Sequence, residues 1–161
     1  MPEKQPDLKK ASFEIINSQH VMTIASACNG IPWSAPVYYI FFEGSFYFFS
    51  KPTSRHIMDA LNTKKAAASI HSESSGWADI RGLQFAGEIS TSGINTSSGK
   101  AFSLYIKKFN FINDIKTTAS SIKDILSLES AFKVKFYRLK PETVYYLDNS
   151  ISFGFKERVI L

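Results

Sequence analysis

Apolar residues recur along this chain with two different periods, and the points where the period changes outline its elements. Residues 7–16 predict a short opening helix: Asp7 can cap it, and Leu8, Ala11 and Ile15 share one face. Residues 20–27 alternate Val21, Thr23 and Ala25 against Met22, Ile24 and Ser26, the period of a strand. Cys28-Asn29-Gly30 supplies a hairpin turn, since Asn-Gly tolerates the positive φ such turns need. Pro32 then opens a long strand through Phe42, Glu43-Gly44 turns the chain again, and residues 45–49 return, so a meander is expected. A helix over 54–62 follows, with Ile57, Met58 and Leu61 at core-facing spacing.

Residues 66–71 predict a fourth strand, residues 72–76 a loop, and residues 77–90 another long strand. Helices are expected over 97–108 and 117–126, with a loop around 110–113 between them. Residues 131–137 alternate Phe132, Val134 and Phe136 against Lys133, Lys135 and Tyr137, a strand with one buried and one wet face. Strands over 144–147 and 151–155, separated by a turn at 148–150, complete the set. Six or more antiparallel strands with helices in the crossovers predict a mainly β fold, a closed or split barrel with flanking helices. An open α+β sheet is the alternative.

Composition narrows this. The 161 residues suit a single domain over 1–161, with a short N-terminal helix at about 7–17 and a barrel over about 19–161. An aromatic share of 14%, with 14 Phe and 7 Tyr, favours pleated surfaces and also suits stacking on a planar ligand. The net charge of +5 attracts anions, but the lysines are scattered, so no nucleic-acid partner is expected. A single cysteine, Cys28, excludes an internal disulfide, and the longest apolar run, 35–42, is too short to span a bilayer. A cytoplasmic protein without a membrane partner is the expectation.

Familiar catalytic signatures are missing. His20, His56 and His71 lack metal-ligand spacing, no cysteine pair exists, and no Gly-x-Ser-x-Gly elbow, phosphate-binding P-loop or dinucleotide-binding glycine pattern occurs. The junction Ser50-Lys51-Pro52-Thr53-Ser54-Arg55-His56 stands out instead. Thr53 and Ser54 are good helix caps, yet Arg55 and His56 occupy a first turn where a cation typically costs about 0.3–1 kcal/mol. An anion bound there by exposed N–H groups, hydroxyls and the Arg fork explains the choice. So does an ordinary surface cap whose Arg faces solvent or pairs with Asp59 one turn on.

Two further segments carry weight. Pro36 inside the 32–42 strand cannot donate to a ladder, which places that stretch at an edge or opening where free backbone groups can meet a flat heterocycle. Gly82 and Gly87, within Ile80-Arg81-Gly82-Leu83-Gln84-Phe85-Ala86-Gly87-Glu88-Ile89, weaken a strand unless something approaches closely or a bulge is needed. Arg81 and Gln84 can face a ligand or a subunit partner; a barrel corner explains the glycines equally well.

Thr53-Ser54-Arg55-His56, the 80–89 segment and Asp148-Asn149-Ser150-Ile151-Ser152-Phe153-Gly154-Phe155-Lys156, in this order, resemble the flavin-binding split barrels of the pyridoxamine 5'-phosphate oxidase-like superfamily. Within it the likeness is nearest to the YhbP-type family and runs from about Gln19 to Lys156. The resemblance implies a homodimer with two flavin mononucleotide (FMN) sites at the subunit interface and an unknown small-molecule substrate. It implies that Ser50, Ser54, Arg55 and His56 hold the FMN phosphate and that the adjoining Phe49 is also a cofactor-binding residue. It places the backbone of Ser34, Ala35, Pro36 and Val37 along the flavin ring, with Gln84 reaching the site from either subunit and Lys156 near the segment that closes it. The chain departs from the true oxidases in two places: Ala35 stands where they carry an arginine, and no Arg-x-His element occurs near 155–158. The expected activity is thus an FMN-dependent oxidoreductase other than a pyridoxamine phosphate oxidase, or a non-catalytic flavin- or haem-binding module.

Overall fold

The computed structural model describes residues 7–109 and 122–161. Helix α1 (Leu8–Ser18) leads into a hairpin of β1 (Val21–Cys28) and β2 (Ile31–Tyr38), then a second hairpin of β3 (Ile40–Phe42) and β4 (Ser45–Ser50). Helix α2 (Arg55–Thr63) and strands β5 (Lys65–His71) and β6 (Arg81–Thr91) follow. Helices α3 (Thr96–Lys108) and α4 (Ile122–Phe132) precede the long β7 (Lys135–Asp148) and the short β8 (Lys156–Val159). Local chemistry sets the turns. The Asp7 side chain accepts from the Lys10 N–H at 3.0 Å and starts α1. Asn29 and Gly30 have φ of 51° and 75°, and Glu43 and Gly44 have 46° and 70°, the left-handed pairs that two-residue hairpins require.

One antiparallel sheet runs in the order β2-β1-β5-β6-β7-β4-β3, with β8 paired to β7. Its two ends, β2 and β3, are joined in sequence by Tyr39 alone, so the sheet has to curl until its edges approach. Phe46 of β4 stacks on Phe85 of β6 with centroids 4.3 Å apart, although β7 separates their strands, so the rings meet across the interior. Tyr39 is fully buried at the seam, and its hydroxyl donates to the Ile16 carbonyl at 2.8 Å, drawing α1 onto the core. Backbone crowding explains the glycines of β6. A Cβ at Gly87, beside a bulge, would lie 1.9 Å from the Lys140 carbonyl oxygen, and one at Gly82 would lie 2.4 Å from that of Ile70. A second aromatic cluster (Tyr47, Phe102, Tyr105, Phe109 and Phe136) lies between the other face of β4–β7 and α3. This is the mainly β barrel with flanking helices that the alternation predicts.

Several expectations are corrected. The 32–42 strand breaks at Tyr39, and its halves lie on opposite edges of the sheet, so there are two hairpins and no continuous meander. Within α2, Ile57 and Ala60 face the core, whereas Met58 and Leu61 are exposed. Residues 77–79 form a single helical turn because the Asp79 carboxylate takes the Ser75 N–H and hydroxyl; β6 starts at Arg81. The alternation over 131–137 conceals a helix end at Phe132. Lys133 turns left-handed with φ 53°, the Glu129 carboxylate accepts from the Phe136 N–H at 2.9 Å, and the strand begins at Lys135. Residues 144–147 belong to that same strand. Residues 151–155 are turns, because Asp148 accepts from the Ser150 N–H at 2.9 Å and Asn149 from the Gly154 N–H at 3.0 Å. The expected loop at 110–113, and residues 117–121 of the expected helix, lie outside the described residues.

Candidate functional site

The strand-to-helix corner after β4 is built as a turn followed by a cap. The Ser54 N–H donates to the Lys51 carbonyl at 3.0 Å, and the Ser54 carbonyl accepts from Ile57 and Met58, starting α2. The Ser54 side chain makes no capping bond, so its hydroxyl adds to the donors that a helix start presents. Beneath it, Ser50 Oγ lies 2.9 Å from His56 Nε2, with both residues buried. Burial holds the His56 pKa below that of an ordinary histidine, so the ring is neutral at pH 7 and forms a neutral hydrogen bond with Ser50. Arg55 is held at two points. Its Nε is 3.5 Å from Asp59 Oδ2, and its guanidinium carbon lies 4.5 Å from the centre of the Trp33 ring on β2. The pairing with Asp59 is the surface-cap alternative foreseen from spacing; the stacking on Trp33 is additional.

A second feature occupies the outer face of the sheet. Register aligns Ser34, Ala25, Ala67, Ala86 and Thr143 in one row across five strands. The neighbouring row holds Pro36, Thr23, Ser69, Gln84 and Tyr145. A shallow cleft of about 390 Å³ runs over them. Lys156 reaches its rim: Nζ donates to Gln84 Oε1 at 2.9 Å and sits 4.7 Å from the centre of the Tyr145 ring. An antiparallel sheet facing water normally turns polar side chains outward, and these central rows carry no charge.

No protein-family model matches the chain, and no curated protein matches it. Solved structures do. A heme binding protein from Mycobacterium smegmatis superposes with a TM-score of 0.72 at 14% identity, covering 97% of this chain and 59% of that one. This chain therefore spans under two thirds of that protein's length. A FAD-binding protein from Mesorhizobium loti gives 0.60 at 17% identity, over 84% of this chain and 90% of that one. HutZ, the heme storage protein from Vibrio cholerae, gives 0.63 at 11% identity, over 84% and 90%. A structure described as a putative pyridoxamine 5'-phosphate oxidase, from Listeria innocua, gives 0.65 at 14% identity, over 88% of this chain and 99% of that one, and at such identities the likeness speaks for fold alone. The fold is a split barrel.

In this split barrel the expected residues fall into two groups. Ser50, Ser54, Arg55 and His56 come together at the corner. Phe49 contributes only backbone there, since its ring stacks on Phe136 at 4.5 Å within the second aromatic cluster. Of the β2 residues, Val37 is buried, whereas the backbone of Ser34 and Pro36 runs along the sheet edge, as the proline predicted. Gln84 and Lys156 meet each other on the outer face. Within one chain they sit far along the sheet from the corner: Gln84 pairs with Tyr145 of β7, whereas Ser50 pairs with Lys135, ten residues away on the same strand. Sequence reasoning missed Trp33 as a partner of Arg55 and Tyr145 as the ring under Lys156. Tyr145's outward position was legible from β7 alternation, but the approach of Trp33 was not. Among the described residues no group of three or more metal-ligating side chains occurs. No described helix is long and apolar enough to cross a membrane.

Proposed function

We propose that this split barrel binds FMN, holding the phosphate at the Ser50–His56 corner and the flavin ring along the β2 edge. The observation that carries the reading is the corner itself: an uncapped helix start with a free Ser54 hydroxyl and a guanidinium already held in place. Ser26 Oγ, buried on β1 without a hydrogen-bond partner, marks unmet polar demand beside the same helix. FMN, when bound, supplies the electron-accepting chemistry; the chain positions it, shields it from water and tunes it through nearby charge. On this reading the protein is an FMN-dependent oxidoreductase for a small molecule still to be identified. Its YhbP-type placement rests on the three sequence segments named above.

The functional unit is proposed to be a homodimer. The uncharged outer rows around Ala25, Ala67 and Ala86 suit burial against a second copy, which would bring Gln84 and Lys156 of one protomer to the corner of the other. Pyridoxamine phosphate oxidation is not proposed, because Ala35 and the 155–158 segment lack the groups the true oxidases use.

A second reading, a module that carries haem without catalysis, is favoured by His71. Its Nδ1 lies 3.2 Å from the Ser72 carbonyl, and a proton there leaves Nε2 as a free lone pair at a cleft of about 240 Å³ on the outer face. The absorption spectrum of the purified chain, titrated with FMN and separately with haem, decides between them. A two-band flavin spectrum with a raised melting temperature is expected. A Soret band abolished by His71→Ala establishes the second reading, and no saturable FMN binding at high concentration refutes the first. Bleaching of bound flavin by NADH or NADPH without oxygen separates an enzyme from a carrier.

A further inference from the structure

We infer that Trp33 is a positioning residue for anion binding, holding the Arg55 guanidinium in its binding-ready orientation; this rests on the FMN reading above. Trp33 is 46% exposed on the edge strand β2, which leaves its ring accessible to a side chain from α2. Its neighbours across the hairpin explain the placement. Trp33 pairs in register with Ser26 of β1, and α2 packs against both strands, so the ring stands beside the first turn of the helix. The guanidinium is a flat group with a face and an edge. Its central carbon lies over the Trp33 ring, 4.5 Å from the ring centre, and its Nε lies 3.5 Å from Asp59 Oδ2. Among the described residues nothing accepts a hydrogen bond from the two terminal nitrogens. Those nitrogens form the fork that recognises a phosphate bidentately.

The cation–π contact and the ion pair together hold an otherwise mobile side chain before any ligand arrives. An arginine already ordered loses less rotamer freedom on binding, and that saving appears as affinity for the phosphate group alone. Asp59 offsets the charge of Arg55, and His56 is neutral, so at this corner the orientation of Arg55 adds selectivity to the attraction that Lys51 and the helix start supply.

The test separates phosphate from ring by using two probes on the full chain, FMN and riboflavin, which share the flavin and differ in the phosphate. Trp33→Leu is expected to weaken FMN about fivefold, the upper end for an exposed cation–π contact, and to leave riboflavin unchanged. Trp33→Phe is expected to restore most of the loss. In an Arg55→Ala background, Trp33→Leu is expected to add nothing further. Equal weakening of both flavins, or of neither, overturns the inference while leaving the FMN site standing. Wild-type chain that binds neither flavin overturns the parent reading and this one together. If Trp33→Leu does not fold, Trp77→Phe leaves Trp33 as the sole tryptophan of the two, and its emission is read against inorganic pyrophosphate. A saturable change is expected; a flat titration overturns the inference.

Discussion

Closure of the barrel puts its sharpest constraint on Gly87, where β6 and β7 cross at the bulge. Replacing it with alanine puts a Cβ 1.9 Å from the Lys140 carbonyl oxygen and 2.7 Å from the Pro141 Cα, whereas real Cβ contacts below 3.0 Å essentially never occur. The obstacle is backbone on the partner strand, so no side chain can swing aside. Relief requires the strands to part by more than 1 Å (3.0 − 1.9), which breaks the flanking ladder bonds, and to strain the bulge. Two lost hydrogen bonds contribute about 2 kcal/mol. Overpacking against rigid backbone adds a comparable amount of about 2 kcal/mol. The reduced freedom of the unfolded chain returns about 0.4–1 kcal/mol. The net is a destabilisation of about 3 kcal/mol, or roughly 6–12 °C in Tm for a chain of this size. Gly30→Ala is the control. Gly30 has φ +75° but nothing within 4 Å, so only the left-handed penalty of roughly 1–2 kcal/mol applies. Thermal and urea unfolding of both variants measure the difference. A Gly87→Ala chain that melts within about 2 °C of wild type, or no lower than Gly30→Ala, refutes the crowding argument.

Two other expectations follow from charge. Arg55→Ala weakens FMN by about 1.5–3 kcal/mol, the usual worth of a hydrogen bond to a charged group, with riboflavin unaffected; titration calorimetry reads it, and an unchanged Kd makes Arg55 a surface cap only. Lys108 donates to the Gln19 carbonyl at 2.6 Å and lies 4.3 Å from the centre of the Tyr39 ring, and burial holds its pKa down to about 8 against an ordinary 10.5. The unfolded chain therefore binds a proton that the folded one releases between those values, so stability rises with pH across that window, by on the order of 1–2 kcal/mol once partial exposure is allowed for. Burial raises the pKa of Tyr39 and Tyr105, so stability falls again above the ordinary tyrosine value of 10.0. Melting temperatures between pH 7 and pH 11 trace both limbs, and a rise that survives in Lys108→Met contradicts the assignment.

The elements that rest on neighbours in sequence were legible in the chain. Asp7 capping α1, the Asn29-Gly30 and Glu43-Gly44 turns, and the alternation of β1 and β5 all emerged from spacing, because each depends on bonds or angles within a few residues. Where spacing misled, a side chain competed for the backbone. Asp79, Glu129 and Asp148 each diverted a segment with strand-like alternation into a turn or helix end. Met58 and Leu61 have the right period for a core face, yet that face of α2 is exposed. Periodicity identifies one side of a helix as apolar without stating what covers it.

The corner shows the same division. That a helix begins after Ser54 with two basic residues, and that an anion or Asp59 is needed to accommodate them, is a local matter of caps and dipoles, and the sequence determined it. That Arg55 lies on Trp33, and that Ser50 meets His56 in a buried hydrogen bond, depends on α2 packing across the β1–β2 hairpin. That Gln84 meets Lys156 on the outer face, paired to the far end of β7 from the corner, depends on the register in which the sheet closes. Contacts between residues far apart in the chain cost loop-closure entropy that no local propensity encodes, so only the closed barrel decided them.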